Sequence, residues 1–222
     1  LSLTLPALRA VTAWVDPAVQ LWNRPLLDNL TDAAAPADHH RLPQAIGATG
    51  LRGVLARLPQ GLQTPLGEGG GRLSGGEGQR VRLARAMLAT DTRLVLLDEP
   101  FRGLDHAQRQ ALLASARAWW RQHTLLCVTH DVGDTRGFDR VLVVDGGRIV
   151  EDDPPQRLAA QDSHYRRLLQ AEQALREQLW GSAAWRRLRL QGGQLLKTPP
   201  ESATSPADGG GASPSSSGGA TA

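Results

Sequence analysis

A chain of 222 residues, 41% of them hydrophobic, is long enough to bury one sizeable core. Its 25 basic and 22 acidic side chains leave a net charge of only +3, and their interleaving argues against a nucleic-acid-binding patch. The single cysteine, Cys127, excludes an internal disulfide, and no apolar run reaches the roughly 20 residues a membrane-crossing helix needs.

In chain order, the apolar spacing from Arg41 to Leu88 predicts helices, with a glycine-rich break at Gly67 to Gly71. Ser74-Gly75-Gly76 opens the last of these helices, in which Val81, Ala84, Met87 and Leu88 share one face. Ser74 is a capping residue. The bare glycine backbone beside it lets a phosphate approach the first amides, where the helix dipole favours negative charge. The next run, Val95, Leu96 and Leu97, is too short for a typical helix and is bounded by polar residues. It therefore reads as a strand buried on both faces.

That strand delivers Asp98 and Glu99 to its carboxyl end, where open α/β sheets bind ligands. Asp98 is suited to holding a Mg²⁺ that bridges phosphates, and Glu99 is then placed to orient or deprotonate an attacking water. Asp105 to Gln122 reads as a helix with Leu112, Ala116 and Trp119 on one face. Thr124 to Thr129 is a second buried strand and brings His130 to the equivalent end, within reach of a γ-phosphate or catalytic water.

Further along, Val141 to Val144 and Arg148 to Val150 flank an Asp145-Gly146-Gly147 turn and predict a hairpin. Ser163 to Leu179 follows as an amphipathic helix with apolar Tyr165, Leu168, Leu169, Leu175 and Leu179. Another short hairpin is expected around Gly192-Gly193. Beyond Leu196 the composition turns to Pro, Ser, Gly, Ala and Thr, so a disordered tail is expected over 197–222.

Leu73-Ser-Gly-Gly-Glu-Gly-Gln-Arg80, Leu94 to Pro100, Gly103-Leu104-Asp105 and His130 stand in the order and spacing of the signature, Walker B strand, D-loop and switch histidine of the ATP-binding cassette (ABC) family. The chain resembles the nucleotide-binding domain of an ABC transporter, from about Ala13 to Val150. Leu58 to Gly70 and Val15 to Leu30 resemble exporter cassettes in particular. The sequence departs from the pattern in three places: Glu77 stands where glutamine is commoner, Gly78 where a polar residue is usual, and Pro17 where the Q-loop glutamine would fall.

The resemblance implies an α/β fold with a mainly parallel P-loop NTPase sheet, incomplete for want of its P-loop portion, and an α-helical signature subdomain at about 23–90 within a domain spanning 1–196. It further implies ATP and Mg²⁺ as ligands. Ser74, Gly75, Gly76, Glu77 and Asp105 would contact nucleotide, Asp98 would hold the metal, and Glu99 and His130 would be catalytic. The implied partners are a second cassette, identical or not, and an exporter's transmembrane domain, fused upstream or separate. The implied location is the cytoplasmic face of a bacterial inner membrane.

One component is conspicuous by its absence. The only lysine is Lys197, so Gly-x-x-x-x-Gly-Lys-Ser/Thr, the phosphate-cradling loop, does not occur in the 222 residues. Because the family pattern is entered partway, the N-terminal part of the cassette is expected to lie outside this sequence. A non-catalytic regulatory or dimerisation module is the alternative from another class. Retention of both Glu99 and His130 argues against it, since such a module needs neither.

The tail has too little apolar surface to offset the entropy of ordering it. Deleting Thr198 to Ala222 should therefore leave the thermal unfolding midpoint unchanged in a calorimetric scan; a drop of several degrees would show that the tail docks.

Overall fold

The structure is a computed structural model that describes residues 4–18, 20–32, 34, 36–180, 188–191 and 194–197. The expected tail beyond Lys197 and the Gly192-Gly193 turn lie outside the described residues. By its contacts the chain divides into two units, Leu1–Glu172 and Gln173–Ala222.

The first unit begins with α1 (Leu5–Ala10), β1 (Thr12–Val15), α2 (Leu26–Thr31), α3 (Leu42–Ala48), α4 (Arg52–Arg57) and α5 (Gly75–Leu88). There follow β2 (Leu94–Asp98), α6 (His106–Trp119), β3 (Thr124–Val128), β4 (Val141–Asp145), β5 (Arg148–Asp153), α7 (Pro155–Ala160) and the first turns of α8 (His164–Trp180). The second unit holds the remainder of α8 and an antiparallel hairpin, β6 (Leu188–Gln191) with β7 (Gln194–Lys197).

β1, β2 and β3 form a parallel sheet in that order, with Ala13, Val95 and Leu125 in one rung and Trp14, Leu96 and Leu126 in the next. The order runs without reversal. Right-handed crossovers then carry both connections over the same face, and α5 and α6 pack there. Val81, Met87, Leu112, Leu113, Ala116 and Trp120 bury Ala13, Val15, Val95 and Leu97 in one apolar core.

The opposite face corrects the expectation of strands buried on both sides. Trp14 is 58% exposed, Leu126 46% and Val128 53%, and β3 is buried at none of its positions. The physical reason is the crossover handedness: with an unreversed strand order, the described residues supply no connection to that side. Cys127 points to the core face, and burial pushes its thiol pKa up to about 12, as befits a packing residue.

Helix boundaries also shift. The expected helix from Asp105 to Gln122 is His106–Trp119, because Asp105 stays extended and caps it, its carboxylate accepting from the Gln108 N–H at 2.8 Å. In α8, Tyr165 and Leu169 are buried against Val141, Val143 and Leu158, whereas Leu168 and Leu175, expected on the same apolar face, are about half exposed. The Arg41–Leu88 stretch is more broken than its spacing suggested. It contains α3, α4 and short 3₁₀ turns at Gly61–Gln63 and Glu68–Gly70 before α5 begins.

A buried polar knot joins α5 to α2 and the segment before it. Asn29 of α2 is fully buried; its carboxamide accepts from the Trp22 N–H at 2.9 Å and donates to the carbonyls of Trp22, Arg24 and Pro25 at 3.1–3.2 Å. Arg85 of α5 donates to the Asn29 carbonyl at 2.6 Å and to its Oδ1 at 3.2 Å, while its guanidinium lies 4.5 Å from the Trp22 ring centroid. Burial lowers the Arg85 pKa, and these acceptors, with the aromatic face, offset the lost hydration.

Asn29→Leu keeps the volume but leaves the Trp22 N–H without its acceptor, takes one acceptor from Arg85 and reduces the carbonyls of Trp22, Arg24 and Pro25 to their backbone partners. It should lower the unfolding free energy by about 2–4 kcal/mol in urea titrations, and a change within error would show that water replaces the carboxamide.

Candidate functional site

The sequence-predicted residues gather in two places. One is the carboxyl edge of the sheet. Glu99 follows β2 with φ of +42°, a left-handed conformation rare for a side-chain-bearing residue and frequent at functional positions. The Glu99 N–H donates to the Val128 carbonyl at 3.0 Å, which extends the β2–β3 ladder by one bond and fixes the residue at the strand end.

From there the Glu99 carboxylate is held twice by the same neighbour. The His130 N–H donates to Oε1 at 3.1 Å and His130 Nδ1 lies 2.8 Å from Oε2. The hydrogen bond to Glu99 raises the His130 pKa above its ordinary value, against the opposing effect of burial. The ring is 75% exposed, so a ligand can reach it. Asp98 sits one residue earlier on the open face of the sheet, half-buried, opposite Val128.

Sequence reasoning missed what holds the His130 loop. Arg109 of α6 pairs with Asp131 and places its Nε 3.2 Å from Asp134 Oδ2, although not aligned for a hydrogen bond, and Gln110 donates to Asp134 Oδ1 at 2.5 Å. Burial raises the Asp134 pKa despite Arg109. No local signal announces this cluster, because its members are brought together only when α6 docks beside β3.

The second place is the start of α5. Ser74 is extended, its Oγ accepts from the Glu77 N–H at 3.4 Å, and the Glu77 carboxylate accepts from the Ser74 N–H at 2.9 Å, a reciprocal capping box. Burial alone would push the Glu77 carboxyl up, but hydrogen bonds from Ser74 and Arg57 outweigh it and hold it below the usual carboxylate range. Glu77 is therefore charged at neutral pH.

Gly76 touches the loop before α6 closely. A Cβ there would lie 2.6 Å from Leu104 Cδ2, so any larger residue would displace Leu104. Arg80 ties the same turn to its surroundings, donating to the Thr49 carbonyl at 3.2 Å and to Gln108 Oε1 at 3.1 Å. A cleft of about 580 Å³ opens over this turn, lined among others by Arg57, Ser74, Gly75, Gly76, Glu77 and Arg80. Asp105 itself is not among the lining residues; it acts as the cap that aims α6, and Gln108, toward the cleft.

The two places are joined by little. Gln79 Nε2 reaches the Glu99 carbonyl at 3.5 Å, but Ser74 and its glycines line a cleft that Glu99 and His130 do not share. Among the described residues, no group of three or more His, Cys, Asp or Glu is gathered to hold a metal by itself. A lone carboxylate such as Asp98 still fits Mg²⁺, which takes one or two carboxylates and fills its remaining positions with water and phosphate oxygens.

Comparison with known proteins gives the chain's family and fold. A family model described as ABC transporter matches residues 4–102. The chain is 37% identical over 164 residues to the glutathione/L-cysteine transport system ATP-binding/permease protein CydC of Escherichia coli, covering 74% of this chain and 28% of that protein. It is 33% identical over 162 residues to the ATP-dependent lipid A-core flippase of Bordetella avium, covering 72% and 27%, and 39% identical over 144 residues to the mycobactin import ATP-binding/permease protein IrtB of Mycolicibacterium smegmatis, covering 65% and 25%.

Among solved structures, a bacterial Atm1-family ABC exporter with ATP bound superposes with a TM-score of 0.69 at 31% identity, over 76% of this chain and 30% of that one. The chain thus spans less than a third of the length of these relatives. With the signature turn, the acid-ended parallel strand and the histidine arranged as described, the chain belongs to the ABC transporter family, as an exporter-like nucleotide-binding domain.

Proposed function

We propose that this chain is the ATP-hydrolysing cassette portion of an ABC exporter, powering transport through a dimer of cassettes on the cytoplasmic face of a bacterial inner membrane. The observation that carries the reading is the Glu99–His130 pair at the carboxyl edge of β2 and β3. A structural module has no use for a strained, half-exposed carboxylate held by a histidine. The relatives are ATP-binding/permease proteins, which supports a membrane domain as partner.

Within this reading each residue has one task. Glu99 accepts a proton from, and orients, the water that attacks the γ-phosphate. His130 fixes the Glu99 rotamer and presents its exposed ring to the phosphate. Asp98 would hold Mg²⁺, which supplies charge neutralisation for the β- and γ-phosphates. Ser74, Gly75 and Gly76 offer a capped helix N-terminus to the phosphates of an ATP held chiefly by the facing cassette, with Glu77 and Asp105 setting the geometry of that turn. The separation of the two places supports this division, since one nucleotide held within this chain would not touch both.

Without a lysine-bearing loop, Asp98 and Glu99 would repel a triphosphate rather than bind it. The 222-residue chain by itself should show no Mg-ATPase above background in phosphate-release assays, and at best weak ATP binding by calorimetry. Micromolar binding with turnover that Glu99→Gln abolishes would mean that other residues build the phosphate cradle.

The pair at the sheet edge also predicts a titration. In the folded chain His130 should titrate above its ordinary value of 6.5, and Glu99→Gln should bring it back toward that value, as read from the imidazole proton shifts by NMR. Because the folded-state pKa is raised, the stabilisation it gives is fully present below about 6.5 and is lost as pH rises through the folded value. An unchanged His130 titration in the variant would remove the pairing.

A further inference from the structure

We propose that Arg57 is a charge-compensating residue of the triphosphate site, neutralising Glu77 so that the first turn of α5 keeps its attraction for phosphate. The inference rests on the reading that this turn faces a nucleotide, and it concerns a residue outside every motif of the sequence.

Position 77 is where the family resemblance leads one to expect a neutral glutamine, and here it is a glutamate whose carboxylate is folded back onto the Ser74 N–H at 2.9 Å. A negative charge in the first helical turn opposes the partial positive charge of the N-terminal amides, which amounts to about half an elementary charge. A triphosphate approaching Gly75 and Gly76 would meet that carboxylate within a few ångströms and be repelled. Arg57, twenty residues earlier and on a different helix, α4, reverses the balance: its Nη2 pairs with Glu77 Oε1 while its Nε is anchored on the Gly53 carbonyl at 3.2 Å.

The exposures show which partner is enclosed and which is open to solvent. The Glu77 side chain is 18% exposed and the Arg57 side chain 67%. Both line the cleft together with Ser74, Gly75 and Gly76. An ion pair this open to water adds little to folding stability, so its consequence lies in the electrostatics of the cleft. Arg57 acts through Glu77 and not by replacing a phosphate ligand.

The test follows the Gly75 and Gly76 amide resonances of the isotope-labelled 222-residue chain during titration with ATP, with adenosine as the probe lacking phosphate. Arg57→Ala should weaken ATP binding about three- to tenfold. Arg57→Lys should retain most of it. Glu77→Gln should bind at least as tightly as the unaltered chain, and the double variant should return to within about twofold of Glu77→Gln, with thermal midpoints alike throughout. Adenosine should shift neither amide.

Arg57→Ala binding ATP as the unaltered chain does would overturn the inference while leaving the nucleotide-facing turn intact. A double variant as weak as Arg57→Ala would do the same, by making Arg57 a direct phosphate ligand. Gly75 and Gly76 amides that respond to ATP in no variant, or respond equally to adenosine, would overturn the assignment of phosphate to this turn and the inference with it.

Discussion

A guanidinium buried as deeply as that of Arg85 has to be satisfied within the protein, and meeting that requirement organises the first unit. Asn29 supplies the acceptors, and the same carboxamide closes the chain around Trp22, Arg24 and Pro25. Because Arg85 belongs to α5, the knot fixes the helix whose other end carries Ser74 and whose apolar face covers β1 and β2. The position of the glycine turn relative to the sheet edge is thus set by a polar contact more than ten residues away from it. The two are coupled through Asn29 Oδ1, which accepts from both the Trp22 N–H and Arg85, so removing the carboxamide deprives both at once.

The sheet shows how topology apportions the two kinds of surface. Strand order 1-2-3 with right-handed connections stacks α5 and α6 on one face and concentrates the core there. On the other face Trp14, Leu126 and Val128 are exposed, and Asp98 shares that face at its carboxyl end. An all-parallel sheet is ordinarily covered on both sides. The apolar character of Leu94 to Leu97 on both faces is consistent with that rule, and the described residues satisfy it on one side only.

At the carboxyl edge, local strain and ion pairing act together. Glu99 adopts a positive φ at the point where the strand ends, which turns its carboxylate toward His130 and away from the core. The loop that presents His130 is held from behind by Arg109, Asp131, Asp134 and Gln110, so α6 braces the histidine while Gln108, in its own first turn, lines the α5 cleft. Both places are therefore referred to one rigid helix, although they share no ligand-lining residue.

The candidate site residues were legible in the sequence because their signals are local: a Ser-Gly-Gly helix start, an apolar strand ending in Asp98-Glu99 and a second one ending in His130 each carry their signal within a few adjacent residues. The buried face of α5 and the cap at Ser74 were readable for the same reason, since periodicity and capping depend on neighbours one turn away, whereas Asp105, read as the first residue of α6, is its cap. Burial on both faces of β2 and β3 was not decided locally. Composition reports that a strand is apolar, whereas crossover handedness determines which face receives helices. The exposure of Leu168 and Leu175 has the same origin, because an amphipathic pattern names a face without naming what meets it. Only the tertiary structure joined Arg57 to Glu77, Arg85 to Asn29 and Arg109 to Asp131, pairs 20, 56 and 22 residues apart. An arginine on a polar helix face carries no mark of the acceptor it will meet; the docking of the helices selects it.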